Sequence, residues 1–157
     1  MVKIRDLLRD DLVIDEIRAT DKAGVIREFA AHLKAAGKVA DAEELVRILT
    51  ERESLGSTGI GDGVAIPHGK LAVISDMIVA FGRSRRGVDF QSLDSKPAHL
   101  FFLLVTPVDK PGDHLKTLAR ISRILKNPVL RDNLMHAAHR QELQRLICEE
   151  DGKYPHK

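Results

Sequence analysis

The sequence predicts an α/β fold in a single layered domain. Three observations lead there. Helical and strand-like patterns alternate along the chain, and alternation of that kind packs helices against a sheet. Leu100 to Val105 is apolar at every position, as in a strand covered on both faces. The 157 residues suffice for one compact core, and 43% hydrophobic with 31% charged residues is the composition of an ordinary globular chain.

Leu12 to Ile14 reads as a short first strand. Thr20 and Asp21 offer helix caps, Val25, Ile26, Phe29, Ala30 and Leu33 recur at helical spacing, and Gly37 supplies a stop. Asp41 with Glu44 has the form of a capping box, and Leu45, Ile48 and Leu49 continue one helical face. Gly56 to Gly63 holds four glycines in eight residues and reads as an ordered loop. Val64 to Ile66 is a short strand that Pro67 ends. Met77 to Phe81 and Leu100 to Val105 are stronger strands. Pro111 and Asp113 open a helix with Leu115, Leu118, Ile121, Ile124 and Leu125 on its apolar side, and Asn127-Pro128 breaks it. Two short helices follow, about residues 129–138 and 141–149, and residues from about 150 to 157 are expected to form a loose tail.

Composition excludes several function classes. A net charge of +2 is too small for a phosphate-backbone binder, and 4% aromatics with no Trp is too few for a base-stacking surface. The one basic cluster, Arg83, Arg85 and Arg86, reads as a solvated strand end or turn. Cys148 is the only cysteine, so no internal disulfide can form, and its place in a late helix suits a half-buried inert thiol. No apolar stretch is long enough to span a bilayer, and the first residues lack the apolar centre of a secretory signal. A cytoplasmic protein with no cofactor is the expectation.

The stretch that carries chemistry runs from Arg52 to Leu71. Glycines let the backbone turn tightly and bring several N–H groups toward one point, a concavity that binds anionic oxygens. Gly59, Gly61 and Gly63 are the candidates for that cradle, with Ser57 and Thr58 as hydroxyl donors and Arg52 as a charged donor. No Lys-Ser/Thr follows the last glycine, so the pattern is not a P-loop. The third glycine falls one residue early for a dinucleotide fingerprint. Pro67-His68-Gly69 follows. Proline restricts the chain before the histidine, and neutral imidazole is a competent nucleophile near neutral pH. Phosphoryl transfer needs mainly alignment and stabilisation of charge on the equatorial oxygens, which these residue types supply.

The stretch GSTGIGDGVAIPHGKL, from Gly56 to Leu71, strongly resembles the active-site signature of the enzyme IIA domains of the bacterial phosphoenolpyruvate-dependent phosphotransferase system, fructose/mannitol superfamily. It is most similar to the nitrogen-regulatory branch. The resemblance extends over nearly the whole chain, as one domain of residues 1–157. It implies a mixed sheet of about five strands with helices on both faces. It implies that His68 is the phosphorylated residue, that Arg52 stabilises the phosphoryl group, and that His114, at the start of the helix after the buried strand, assists. The implied donor is phosphohistidine on a carrier similar to HPr. The implied receivers are regulatory proteins, which in relatives include potassium transport and sensor kinases, or, in a sugar-transport role, a IIB domain. By its position His114 belongs to a helix start, which disfavours imidazolium. It can hydrogen-bond phosphoryl oxygens without itself being phosphorylated.

Two readings of other classes stand beside this one. A metal-dependent hydrolase would use His68, His114 and a carboxylate, although no compact ligand motif is present. A pure binding module would use the glycine loop to sense an anion. His136 and His139 are three apart and can share a helix face, but solvated surface residues are the better reading. Asp62 fits a dianion site awkwardly and is expected to point outward or to cap a backbone N–H.

Overall fold

The computed structural model describes residues 3–154. In chain order the elements are α1 (Ile4–Leu7), a 3₁₀ turn (Asp10–Leu12), β1 (Val13–Ile14), α2 (Lys22–Ala35), α3 (Ala42–Ser54), β2 (Gly59–Gly61), β3 (Val64–Ala65), β4 (His68–Leu71), β5 (Ile78–Val88), β6 (Ala98–Pro107), α4 (Pro111–Ile124), α5 (Pro128–His136) and α6 (Arg140–Asp151). His156 lies outside the described residues.

The strands form one mixed sheet of six strands in the order β1-β5-β6-β3-β2, with β4 also paired to β6. β3 and β4 lie along the same side of β6 and run parallel to it. Val64 pairs with Leu100 and His68 with Leu104. β5 runs antiparallel on the other side. β6 is therefore enclosed on both edges, and its residues from Leu100 to Pro107 are all buried. Helices cover both faces. A Cβ on Gly82 of β5 would meet Ile17 and the Phe29 ring of α2, whereas the adjacent Arg83 points the other way, to carbonyls at the end of α5. Side chains alternate across a strand, so these two neighbours mark the two layers. Phe81 stacks edge-on against Phe102, and Phe90 against Phe101, in the core between them.

The helix starts follow local chemistry. Asp21 accepts from the Gly24 N–H at 2.7 Å to cap α2, and Asp41 accepts from the Glu44 N–H at 3.2 Å to cap α3. Asn127 caps α5, with Pro128 at its first position.

Several expectations need correction. Part of the glycine-rich loop is a strand, β2, because the adjacent β3 completes its hydrogen bonds. His68 opens a strand rather than ending a loop, since β6 offers its exposed edge to residues 68–71. Arg83 is not solvated. It is 1% exposed, with Nη1 donating to the Leu134 and Ala137 carbonyls and Nε to that of Asp15. It thereby satisfies carbonyls that the end of α5 leaves open. Leu115 faces outward at 68% exposure. The tail is not loose from residue 150. Glu150 and Asp151 complete α6 and are buried, and Arg120 donates to Asp151 and to the Tyr154 carbonyl.

Candidate functional site

Strand register delivers His68 to its place. Paired residues of neighbouring strands share a face, and so do residues two apart. His68 is opposite Leu104, so it shares a face with Thr106, which is opposite Lys70. α4 packs on that face and carries His114 one turn inside its start. The two imidazoles meet with ring centroids 5.4 Å apart and planes tilted by 59°. Gly69 faces the opposite way. A Cβ there would come within 2.7 Å of Ile48, so this glycine lets α3 approach β4 rather than clearing space around the histidine.

Each imidazole has one nitrogen engaged. His68 Nδ1 lies 2.6 Å from the Ile66 carbonyl oxygen. A carbonyl only accepts, so Nδ1 carries the hydrogen and the neutral ring keeps its lone pair on Nε2. Pro67 restricts Ile66 to extended backbone, which helps bring its carbonyl within reach. His114 Nδ1 lies 2.6 Å from Thr106 Oγ1, and both residues are buried.

Both rings are held neutral. Burial lowers the pKa of His68, and the Arg52 charge adds to the effect against an opposing backbone bond from Ile66. His114 is lowered to about 4, chiefly by burial, then by His68 once that ring is protonated in acid, and by the positive charges of Lys70 and Arg52. Arg52 stands near the end of α3, half-buried, with Nη1 donating to the Gly56 carbonyl at 2.9 Å. The structure thus brings together His68 and His114 and puts both within the field of Arg52, with Lys70 acting also on His114.

The proposed hydroxyl donors are engaged elsewhere, and here the expectation is corrected. Ser57 Oγ donates to the Phe90 carbonyl at 2.6 Å and accepts from the Gly59 N–H at 3.0 Å. Thr58 is buried, and both its N–H and its hydroxyl bond to Glu53. Glu53, itself buried, also pairs with Lys22 at 2.9 Å. Gly61 and Gly63, with Asp62 between them, form a tight turn of three positive-φ residues joining β2 to β3. Val64 and His68 are four strand positions apart, so this turn sits roughly 13 Å or more from the imidazole. Asp62 is exposed, its N–H donating to Asp94, and so it points outward.

Sequence reasoning missed Thr106, Glu53, Lys22 and the Ile66 carbonyl. Thr106 stood one residue past an apolar run, and only the return of α4 makes it a neighbour of His114. The other described histidines bond within the scaffold, His32 to the Asp11 carbonyl and His99 to that of Ser84. His139 caps α6 by accepting from the Glu142 N–H, and His136 bonds within its own helix. Among the described residues no three His, Cys, Asp or Glu side chains converge to hold a metal ion. Cys148 is half-buried, and burial raises its pKa, which suits an unreactive thiol. No helix among the described residues is long and apolar enough to cross a membrane.

Comparison of the whole chain with known proteins places this fold in a family. The family "Phosphoenolpyruvate-dependent sugar phosphotransferase system, EIIA 2" matches residues 6–150. The chain belongs to this family. Among EIIA 2 relatives, a nitrogen regulatory protein of Bradyrhizobium diazoefficiens is 37% identical over 92% of this chain and 94% of its own length. A fructose-specific EIIABC component of Bacillus subtilis is also 37% identical, over 96% of this chain. The chain spans about a quarter (24%) of that larger protein. The crystal structure of nitrogen regulatory protein IIA-Ntr from Neisseria meningitidis superposes with a TM-score of 0.85 at 30% identity, covering 92% of this chain and 98% of that one.

Proposed function

We propose that this EIIA 2 domain is a phosphohistidine carrier, phosphorylated on Nε2 of His68 by a phosphocarrier similar to HPr. The observation that carries the reading is the Nδ1–H bond to the Ile66 carbonyl, which leaves the nucleophilic lone pair on Nε2. In the transfer, Nε2 attacks phosphorus, and the new N–P bond forms as the donor's N–P bond breaks. The donor imidazole, protonated on its other nitrogen, leaves neutral. His68 keeps its Nδ1 proton, so its ring becomes cationic, and the Ile66 carbonyl stabilises that charge. His114 and Arg52 are the donors for the phosphoryl oxygens.

The phosphoryl group itself carries about 1.5–2 negative charges, and with the ring cationic the site gains roughly one net negative charge, enough to create or repel a protein interface. Full-length similarity to a stand-alone nitrogen regulatory protein supports a regulatory output in the cytoplasm. Potassium-transport proteins and sensor kinases are target classes for such an output. Equal identity to a fructose-specific component supports a second reading, delivery of the phosphate to a IIB domain.

Intact-mass analysis tests this after incubation with phosphoenolpyruvate, enzyme I and an HPr-type carrier, at neutral to alkaline pH because phosphohistidine is acid-labile. Wild type should gain one phosphate and His68→Ala none, with an unchanged fold by circular dichroism. Uptake by His68→Ala at the wild-type level would refute the assignment. Loss of the phosphate to an added fructose-type IIB domain would favour the sugar-transport role, and retention the regulatory one.

A further inference from the structure

His114 has two possible neutral forms, with the proton on Nδ1 or on Nε2, and only the second can offer Nε2–H to an oxygen. Its surroundings choose between them. Thr106 Oγ1 is 2.6 Å from His114 Nδ1, and Thr106 is fully buried in β6. Among the described residues, the hydroxyl has no other hydrogen-bond partner. If Nδ1 held the proton and donated it, the Thr106 hydroxyl hydrogen would be buried with no acceptor, an arrangement that folded proteins avoid because nothing replaces the lost water. If Thr106 donates instead, both groups are satisfied.

We propose that Thr106 is a positioning residue that donates to Nδ1 of His114 and so keeps the His114 proton on Nε2. The two imidazoles then have opposite tautomers. His68 is protonated on Nδ1 by virtue of the Ile66 carbonyl, and its Nε2 is a lone pair. His114 is protonated on Nε2, and its Nδ1 is the acceptor. One ring of the pair is a nucleophile and the other a neutral hydrogen-bond donor, although the residue type is the same. Burial and the nearby charges of Lys70 and Arg52 keep His114 from becoming imidazolium near neutral pH, so the tautomer decides what the ring can do. The catalytic consequence rests on the carrier reading of His68. The tautomer assignment does not.

The experiment is two-part. Long-range ¹H–¹⁵N correlation spectra of the ¹⁵N-labelled protein at pH 7.5, with His114→Gln and His68→Gln to assign signals, report the tautomers directly. In wild type, His114 should show a protonated Nε2 and a bare Nδ1, and His68 the reverse. A His114 proton on Nδ1 would overturn the proposal, whatever the activity. Thr106→Val, close in shape but with no hydroxyl, should shift His114 toward the other tautomer and lower kcat for phosphoryl uptake by about tenfold at unchanged KM for the phosphorylated donor. Thr106→Ser should restore both. An unchanged tautomer in folded Thr106→Val would also overturn it. The spectra need no phosphate, so failure of the carrier reading appears separately, as wild-type protein that gains no mass.

Discussion

The two halves of the glycine-histidine signature differ in what they do with their polar atoms. From Ser57 to Gly63 the groups that resembled an anion cradle are bonded within the fold. Ser57 is held by Phe90 and Gly59, Thr58 by Glu53, and the Asp62 N–H by Asp94. At Pro67-His68 and in the facing helix, each imidazole uses one nitrogen to fix its orientation and keeps the other for chemistry. A group already satisfied by the fold contributes stability. A group half-satisfied by the fold contributes reactivity, because its direction is set while its second atom is still available.

That contrast can be broken by substitutions on either side. The largest effect is expected on the chemical side, where His114→Ala should slow phosphoryl uptake by about 10²-fold while the phosphate stays on His68. Peptide mapping that found the wild-type phosphate on His114 would reverse the two roles. Arg52→Ala should raise the transfer barrier by about 2 kcal/mol through the lost charged donor. An unchanged single-turnover rate would assign Arg52 to ending α3 through its bond to Gly56. On the scaffold side, Thr58→Val should cost about 1.5 kcal/mol of stability in urea melts, because Glu53 keeps its charge but loses a donor. Transfer by the folded variant should stay within about twofold, and a loss comparable to that of Arg52→Ala would show that the two halves are not separable.

The smallest and most diagnostic effect is that of pH. His114 has a folded pKa of about 4 against an ordinary 6.5, so between these values the unfolded chain binds the extra proton and the folded one does not. The His114 contribution to stability is therefore complete above about pH 6.5 and is lost progressively as pH falls toward 4. His68, lowered in the same direction, adds to the trend. Thermal melts from pH 7.5 to 4.5 should show His114→Gln to be less acid-sensitive than wild type. Equal sensitivity would place the titrating group elsewhere.

Much of the fold was legible in the residues. The caps at Asp21 and Asp41, the apolar run of β6 and the break at Asn127-Pro128 are short-range features, and each appears where the sequence puts it. His68 stood out because proline, glycine and arginine surround it within one short stretch. β2 and β4 were not legible, since glycine-rich or three- to four-residue strands have no periodicity of their own and form only because a neighbouring strand supplies partners. Arg83 looked solvent-facing for a related reason. Its acceptors at Leu134 and Ala137 lie more than 50 residues along the chain.

The sequence by itself determined which residues can turn, cap, bury and attack, because those properties belong to side chains and their nearest neighbours. Tertiary structure alone decided which polar groups were already satisfied. Glu53 engages Thr58, Phe90 engages Ser57, and the crossing of α4 over β6 sets His114 against Thr106 beside His68. A hydrogen bond needs its partner within about 3 Å, and a chain that folds back on itself sets that distance without regard to sequence separation.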